Sequence, residues 1–174
     1  TRSTPMTRRK NTRLRLTLVC GVCLLLAACS IETSDDSSLR QPNAVQIQPD
    51  DPTWSDIAKA NHAFTSAWNS GAASKLASPY TTDGKYMDEG IPAAVGRDAI
   101  ERVFESHFKQ FGRTNLSLES VSIWRFGSSL EEEGVLEEKA ADGTIIDDGK
   151  YIVLWEKRGG KWLLHRDIAN SNTK

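Results

Sequence analysis

An α+β fold is predicted by three features of the sequence. Apolar residues recur at helical spacing as far as Gly112, and at strand spacing after it. Glycine-containing dipeptides, Asp142-Gly143 and Gly159-Gly160, then punctuate the second half at hairpin positions. The order is therefore three helices followed by an antiparallel sheet, within residues 52–174. That length is enough to bury a core.

The first helix is expected from Thr53-Trp54-Ser55-Asp56, which has capping-box character: a hydroxyl at the N-cap and an acid three residues on. Ile57, Ala60, Phe64, Ala67 and Trp68 follow at helical spacing, and Asn69-Ser70-Gly71 ends the helix. A short second helix covers 72–77 and stops at Pro79. Gly96-Arg97-Asp98 opens the third helix, whose apolar face is Ile100, Val103, Phe104, His107, Phe108 and Phe111. Gly112 closes it. Residues 116–126 then read as a strand whose alternation slips near Glu119-Ser120, the mark of a bulge. In 129–138, Leu130, Glu132, Gly134 and Leu136 share one face. Residues 150–158 and 161–169 form a hairpin around Gly159-Gly160. No internal repeat is present.

Ahead of this domain the chain reads as an export leader and a tether. From Met6, residues 7–15 are basic, and residues 16–26 form an apolar run too short to span a ~30 Å hydrocarbon core. Leu26-Ala27-Ala28-Cys29 follows and resembles the bacterial lipobox, which implies cleavage before Cys29 and lipidation of its thiol. An ordinary secretory signal is the alternative. In the lipoprotein pattern Ser30 permits export to the outer membrane, so the expected location is the cell envelope, lipid-anchored and facing the periplasm. Residues 1–28 are thus leader and upstream sequence. Residues 29–51, rich in Ser, Asp, Gln and Pro, read as a flexible tether.

Charge and cysteine content narrow the partners. Six basic residues precede Cys29 with no acid among them, leaving 16 basic against all 23 acidic residues, a net of about −7. So acidic a chain would be repelled by phosphates, which argues against a nucleic-acid partner. Cys20 and Cys23 fall in the leader, so only Cys29 would remain and no intramolecular disulfide is expected. The three histidines, His62, His107 and His165, lack ligand spacing, so no metal is expected. No phosphate loop, nucleophile elbow or nucleotide fingerprint is present, so no cofactor is expected.

Several short motifs, in order, resemble the SnoaL-like, ketosteroid-isomerase-like branch of the nuclear transport factor 2-like superfamily. They are Trp68-Asn69-Ser70-Gly71, Tyr80-Thr81-Thr82-Asp83-Gly84, Val95-Gly96-Arg97-Asp98-Ala99-Ile100, Gly149-Lys150-Tyr151 and the stretch 160–172 beginning Gly160-Lys161-Trp162. The resemblance covers nearly all of 54–172. It implies a curved sheet wrapped around the helices as a cone with one open end. It does not fix function, because the same cone hosts enzymes, binding modules and assembly domains.

The resemblance also marks candidate residues. In steroid isomerases of this superfamily the general-base Asp lies five residues after an Asp that follows the second helix, and Asp83 and Asp88 have that spacing. Such enzymes also use a first-helix Tyr and a strand acid to stabilise an enolate. Here Phe64 takes the first position and Tyr151 or Ile152 the second, so the oxyanion partner is missing, unless the Tyr151 phenol substitutes. Aligned on Gly160, His165 and Asp167 fall where the last strand points into the cone. Being two apart they would share a face, either lining a pocket, where the pair could orient a ligand or act catalytically by relaying a proton, or serving the structure. Glu132 is a site candidate if its strand face is inward, and part of a solvated acidic run if outward. His107 reads as a packed core residue. Tyr86, Trp124, Tyr151 and Trp155 are candidate pocket walls. Burial is expected to raise the pKa of Asp88, and pairing with His165 to hold Asp167 ionised.

Three functions compete. One is a non-catalytic envelope lipoprotein binding a small apolar ligand or a partner. Another is a cofactor-free acid–base enzyme: an isomerase, cyclase or hydratase. The third is a structural module that dimerises through its sheet. The strand 150–158 supports pairing, because it carries Tyr151, Val153 and Trp155 on one face and Ile152 and Leu154 on the other.

Overall fold

The computed structural model describes residues 44–172; the leader, Cys29 and most of the expected tether lie outside them. The elements in chain order are β1 (Ala44–Gln46), α1 (Pro52–Asn69), α2 (Ala73–Ala77), β2 (Tyr80–Met87), β3 (Ala94–Val95), α3 (Arg97–Phe111), β4 (Asn115–Phe126), β5 (Ser129–Lys139), β6 (Ile145–Arg158) and β7 (Lys161–Ser171). The seven strands form one sheet in the order β1-β4-β5-β6-β7-β2-β3. All neighbours are antiparallel except β2 and β7. The buried faces of α1 and α3 pack into this sheet, with Trp68, Ile100 and Phe104 joining Ile123, Leu130 and Trp155 in one core.

The three expected helices are present, with one change at a cap. Asp51, not Thr53, caps α1: its Oδ1 accepts from the Thr53 backbone N–H at 2.7 Å, and Pro52 fills the first turn where no N–H is needed. The Thr53 hydroxyl instead accepts from Arg125 Nη2 at 2.8 Å. At the other end of α3, Gly112 adopts a φ of +76°, as a helix stop in the left-handed region requires.

Three strands were not expected. β1 falls in the segment assigned to the tether. It pairs with the end of β4, Val45 opposite Arg125, and places Ile47 in the core. The folded domain therefore includes residues before Pro52. β2 and β3 follow the short second helix, where polar Thr81, Thr82 and Asp83 hide any apolar alternation. β2 adds in parallel to β7, Tyr86 opposite Asp167.

Two bulges decide which side chains point inward. In β4 the register shifts between Ser120 and Ser122, close to the expected slip, so Val121 is turned outward. In β7 the register steps from Leu164 opposite Trp155 to Arg166 opposite Leu154. His165 is the extra residue. A bulge offsets the two-residue alternation, so Leu164 and Asp167, three apart, both face inward.

Candidate functional site

The inner sheet face and the helices enclose a cavity of about 380 Å3. Its walls come from α1 (Asn61, Phe64, Trp68), α3 (His107, Phe111) and the inward positions of β4 to β7, with Tyr86 from β2 and Asp88 just beyond it. The register builds one wall. Glu132 lies opposite Val153, which lies opposite Asp167, and Gly134 lies opposite Tyr151, which lies opposite Ala169. Gly134 is needed there: a Cβ at this position would run into the ring and hydroxyl of Tyr151.

Asp167 is the acid most affected by this setting. It lines the cavity and is only 7% exposed. The buried Tyr80 hydroxyl donates to its Oδ2. Burial pushes its pKa up to about 7, and the neighbouring charges of Glu132 and Asp88 add to this, while the Tyr80 hydrogen bond opposes it. Burial and the nearby carboxylates push the phenols of Tyr80 and Tyr86 well above their ordinary value.

Glu132 faces inward and is fully buried. Its Oε1 accepts from Asn61 Nδ2 at 2.6 Å, Ser120 Oγ at 2.6 Å and the Tyr151 hydroxyl at 2.9 Å. Its Oε2 accepts from Trp155 Nε1 at 2.9 Å. It therefore sits behind the cavity wall and fixes three wall residues, Asn61, Tyr151 and Trp155. The Tyr151 phenol, raised by burial and by Glu132, spends its proton on this carboxylate and has none left for a ligand oxygen.

A histidine–carboxylate pair also lines the cavity. His107 Nε2 lies 2.9 Å from Glu138 Oε1, and the Thr114 hydroxyl donates to the same oxygen. Burial raises the Glu138 pKa, but hydrogen bonds from His107 and Thr114 outweigh it and hold the carboxyl below its ordinary value. Sequence reasoning placed His107 in the core and did not single out Glu138. The signal was present: the alternation Leu130, Glu132, Gly134, Leu136 continues to Glu138 on the same face.

The other expected site residues are placed differently. Asp88 lines the cavity but is exposed at its mouth, where it accepts from the Tyr86 hydroxyl at 3.0 Å and the Glu89 N–H at 2.8 Å. The burden of burial falls on Asp167 and not on Asp88, reversing the expectation. His165 does not share the Asp167 face, because the bulge turns it out of the cavity. It meets Thr81 Oγ1 at 3.1 Å and Glu156 Oε1 at 3.2 Å instead. Trp124 lies next to buried Ile123 on β4 and is not part of the cavity lining. Tyr86, Tyr151 and Trp155 line it as expected. Among the described residues, no group of three His, Cys, Asp or Glu is arranged to hold a metal ion.

No family model matches the chain. No curated protein matches it either. Solved structures do. A ketosteroid isomerase-like protein from Erwinia carotovora atroseptica is 23% identical, with a TM-score of 0.58 over 69% of this chain and 96% of that one. ActVI-ORFA from Streptomyces coelicolor is 13% identical, with a TM-score of 0.63 over 71% and 97%. A protein of unknown function with a cystatin-like fold from Nostoc punctiforme is 14% identical, with a TM-score of 0.63 over 70% and 92%. Through these likenesses the chain has the α+β cone fold of nuclear transport factor 2-like proteins.

Proposed function

We propose that this chain is an envelope lipoprotein whose cone domain binds a small, largely apolar ligand without transforming it. The observation that carries the binding part is the cavity. Its volume of about 380 Å3, aromatic walls and convergent polar groups suit a small-molecule site. Against turnover stands the commitment of the phenols around the cavity: among the described residues each donates to a carboxyl group, Tyr86 to Asp88 included, so none is left for developing negative charge, often the largest catalytic contribution. Phe64 has no hydroxyl, and the Tyr80 and Tyr151 hydroxyls are committed to Asp167 and Glu132. An apolar, environment-sensitive dye should brighten on adding the purified protein. Ala169→Trp, which fills the cavity, should abolish this; equal brightening with that variant overturns the reading.

The envelope part rests on the basic leader, the apolar run and the lipobox ending at Cys29. Cys29→Ala should move the protein from the membrane to the soluble fraction. Unchanged membrane association and electrophoretic mobility would refute lipidation.

A second reading, a cofactor-free acid–base enzyme, is favoured by one observation: a cavity acid, Asp167, has its pKa near neutrality. It predicts deuterium exchange beside the carbonyl of an apolar ketone in heavy water, lost in Asp167→Asn. A role in dimerisation is favoured by the outer sheet face, where Val121, Val135, Ile152, Leu154 and Ile168 are exposed. Light scattering should give twice the protomer mass, and a monomer at micromolar concentration would exclude it.

A further inference from the structure

The charge of the cavity narrows its ligand, given that the cavity is a ligand site as proposed above. Five carboxyl groups line it: Asp88, Glu89, Glu138, Asp147 and Asp167. No Lys or Arg is among the described lining residues. The one basic side chain, His107, faces Glu138, so a proton gained there is offset by that carboxylate. Six aromatic rings share the same walls: Phe64, Trp68, Tyr86, Phe111, Tyr151 and Trp155.

These observations work in one direction. A cavity with low-dielectric walls and charges of one sign focuses its field on the space inside. Aromatic faces attract a cation through their negative quadrupole. An anionic ligand, such as a carboxylate or an enolate, would be desolvated here without a cationic partner, at high cost. Asp167 supplies a fixed anchor, because it is buried in the wall and held by Tyr80. Tyr86 links that flank to the mouth by donating to Asp88. We propose that the cavity takes a small apolar cation, a protonated amine or quaternary ammonium on an aromatic or aliphatic body, with its charge toward Asp167 and Asp88. The body then packs among the rings.

Binding of such a ligand depends on pH. The groups facing Asp167 are Tyr80 and Tyr86 from β2, Asp88 just after it, Glu132 from β5 and Tyr151 from β6. Burial keeps the three phenols neutral. Asp167 loses its proton as pH rises through about 7, so attraction for a cation grows over that range.

The test uses three probes of one shape and different charge: phenylbutylammonium, phenylbutanol and phenylbutanoate. Calorimetric titration into the purified full chain at pH 8 should rank ammonium above alcohol by about tenfold, with the anion weakest. The ammonium-to-alcohol ratio should shrink at pH 6, and Asp167→Asn should remove that pH dependence. Asp88→Asn, at the exposed mouth, should lower the ratio without disturbing the fold, and it tests the proposal even where Asp167→Asn fails to fold. Alcohol or anion binding as tightly as the ammonium overturns the cation preference and leaves the cavity as a ligand site. Failure of all three probes to bind at millimolar concentration overturns both.

Discussion

Glu132 and Asp167 lie on one face of the sheet, separated only by Val153 on the strand between them, Asp167 in the cavity wall and Glu132 behind it. Two strand spacings put their backbones about 10 Å apart. Both are carboxylic acids, and both are buried. Yet four donors converge on Glu132, two of them an indole and an amide nitrogen that can only donate. Asp167 receives the Tyr80 hydroxyl and otherwise faces the cavity. The difference teaches that burial alone does not set the state of an acid; the donors around it do. A carboxylate surrounded by donors is part of the frame. One left half-partnered at a cavity wall keeps a proton near neutrality and remains available to a ligand.

The comparison breaks first at Glu132. Glu132→Ala would strand four donors in the interior and should cost about 4 kcal/mol of unfolding free energy. Urea denaturation measures it, and a loss under about 1 kcal/mol would mean that Glu132 is not the frame.

Gly134→Ala should cost about 2 kcal/mol, because the new Cβ displaces the Tyr151 ring and with it one of the Glu132 donors. A melting temperature equal to that of the parent protein would show that Tyr151 can move freely.

Asp167→Asn should have the opposite sign. The folded pKa of about 7 lies above the unfolded value of about 3.9. Between these values the native state holds a proton that the unfolded chain has released. Stability of the parent protein therefore falls as pH rises from about 4 to 7, and the loss is complete above 7. The variant should lack this slope and gain about 2 kcal/mol at pH 8. A slope that survives in the variant would assign it to another group.

Asp88→Asn sharpens the contrast by doing little. Exposed at the mouth, it should change stability by less than about 0.5 kcal/mol. A larger loss would give Asp88 a structural role.

Much of the fold was legible in local signals. The apolar face of α3, the glycine at its end, the slip in β4 and the Gly159-Gly160 turn each express a constraint that acts within a few residues. The missing strands carried no such signal. β1 has three residues, and β2 is polar along half its length; both exist because a partner strand offers free backbone groups. The site was legible in its membership more than in its geometry. Asp88, Asp167, Tyr86, Tyr151 and Trp155 do line the cavity, whereas His165 and Trp124 do not, and Glu138 with His107 was missed.

The sequence by itself determined the helices, the hairpins and the acidic balance of the domain. These follow from period, turn chemistry and residue identity. Only the tertiary structure decided which acid is buried and what faces it. A single extra residue at His165 rotates Asp167 inward, and strand pairing brings Tyr80 to Asp167 across 87 positions of chain. A carboxyl pKa depends on donors and solvent within a few ångströms. The chain sets those distances only when distant segments meet.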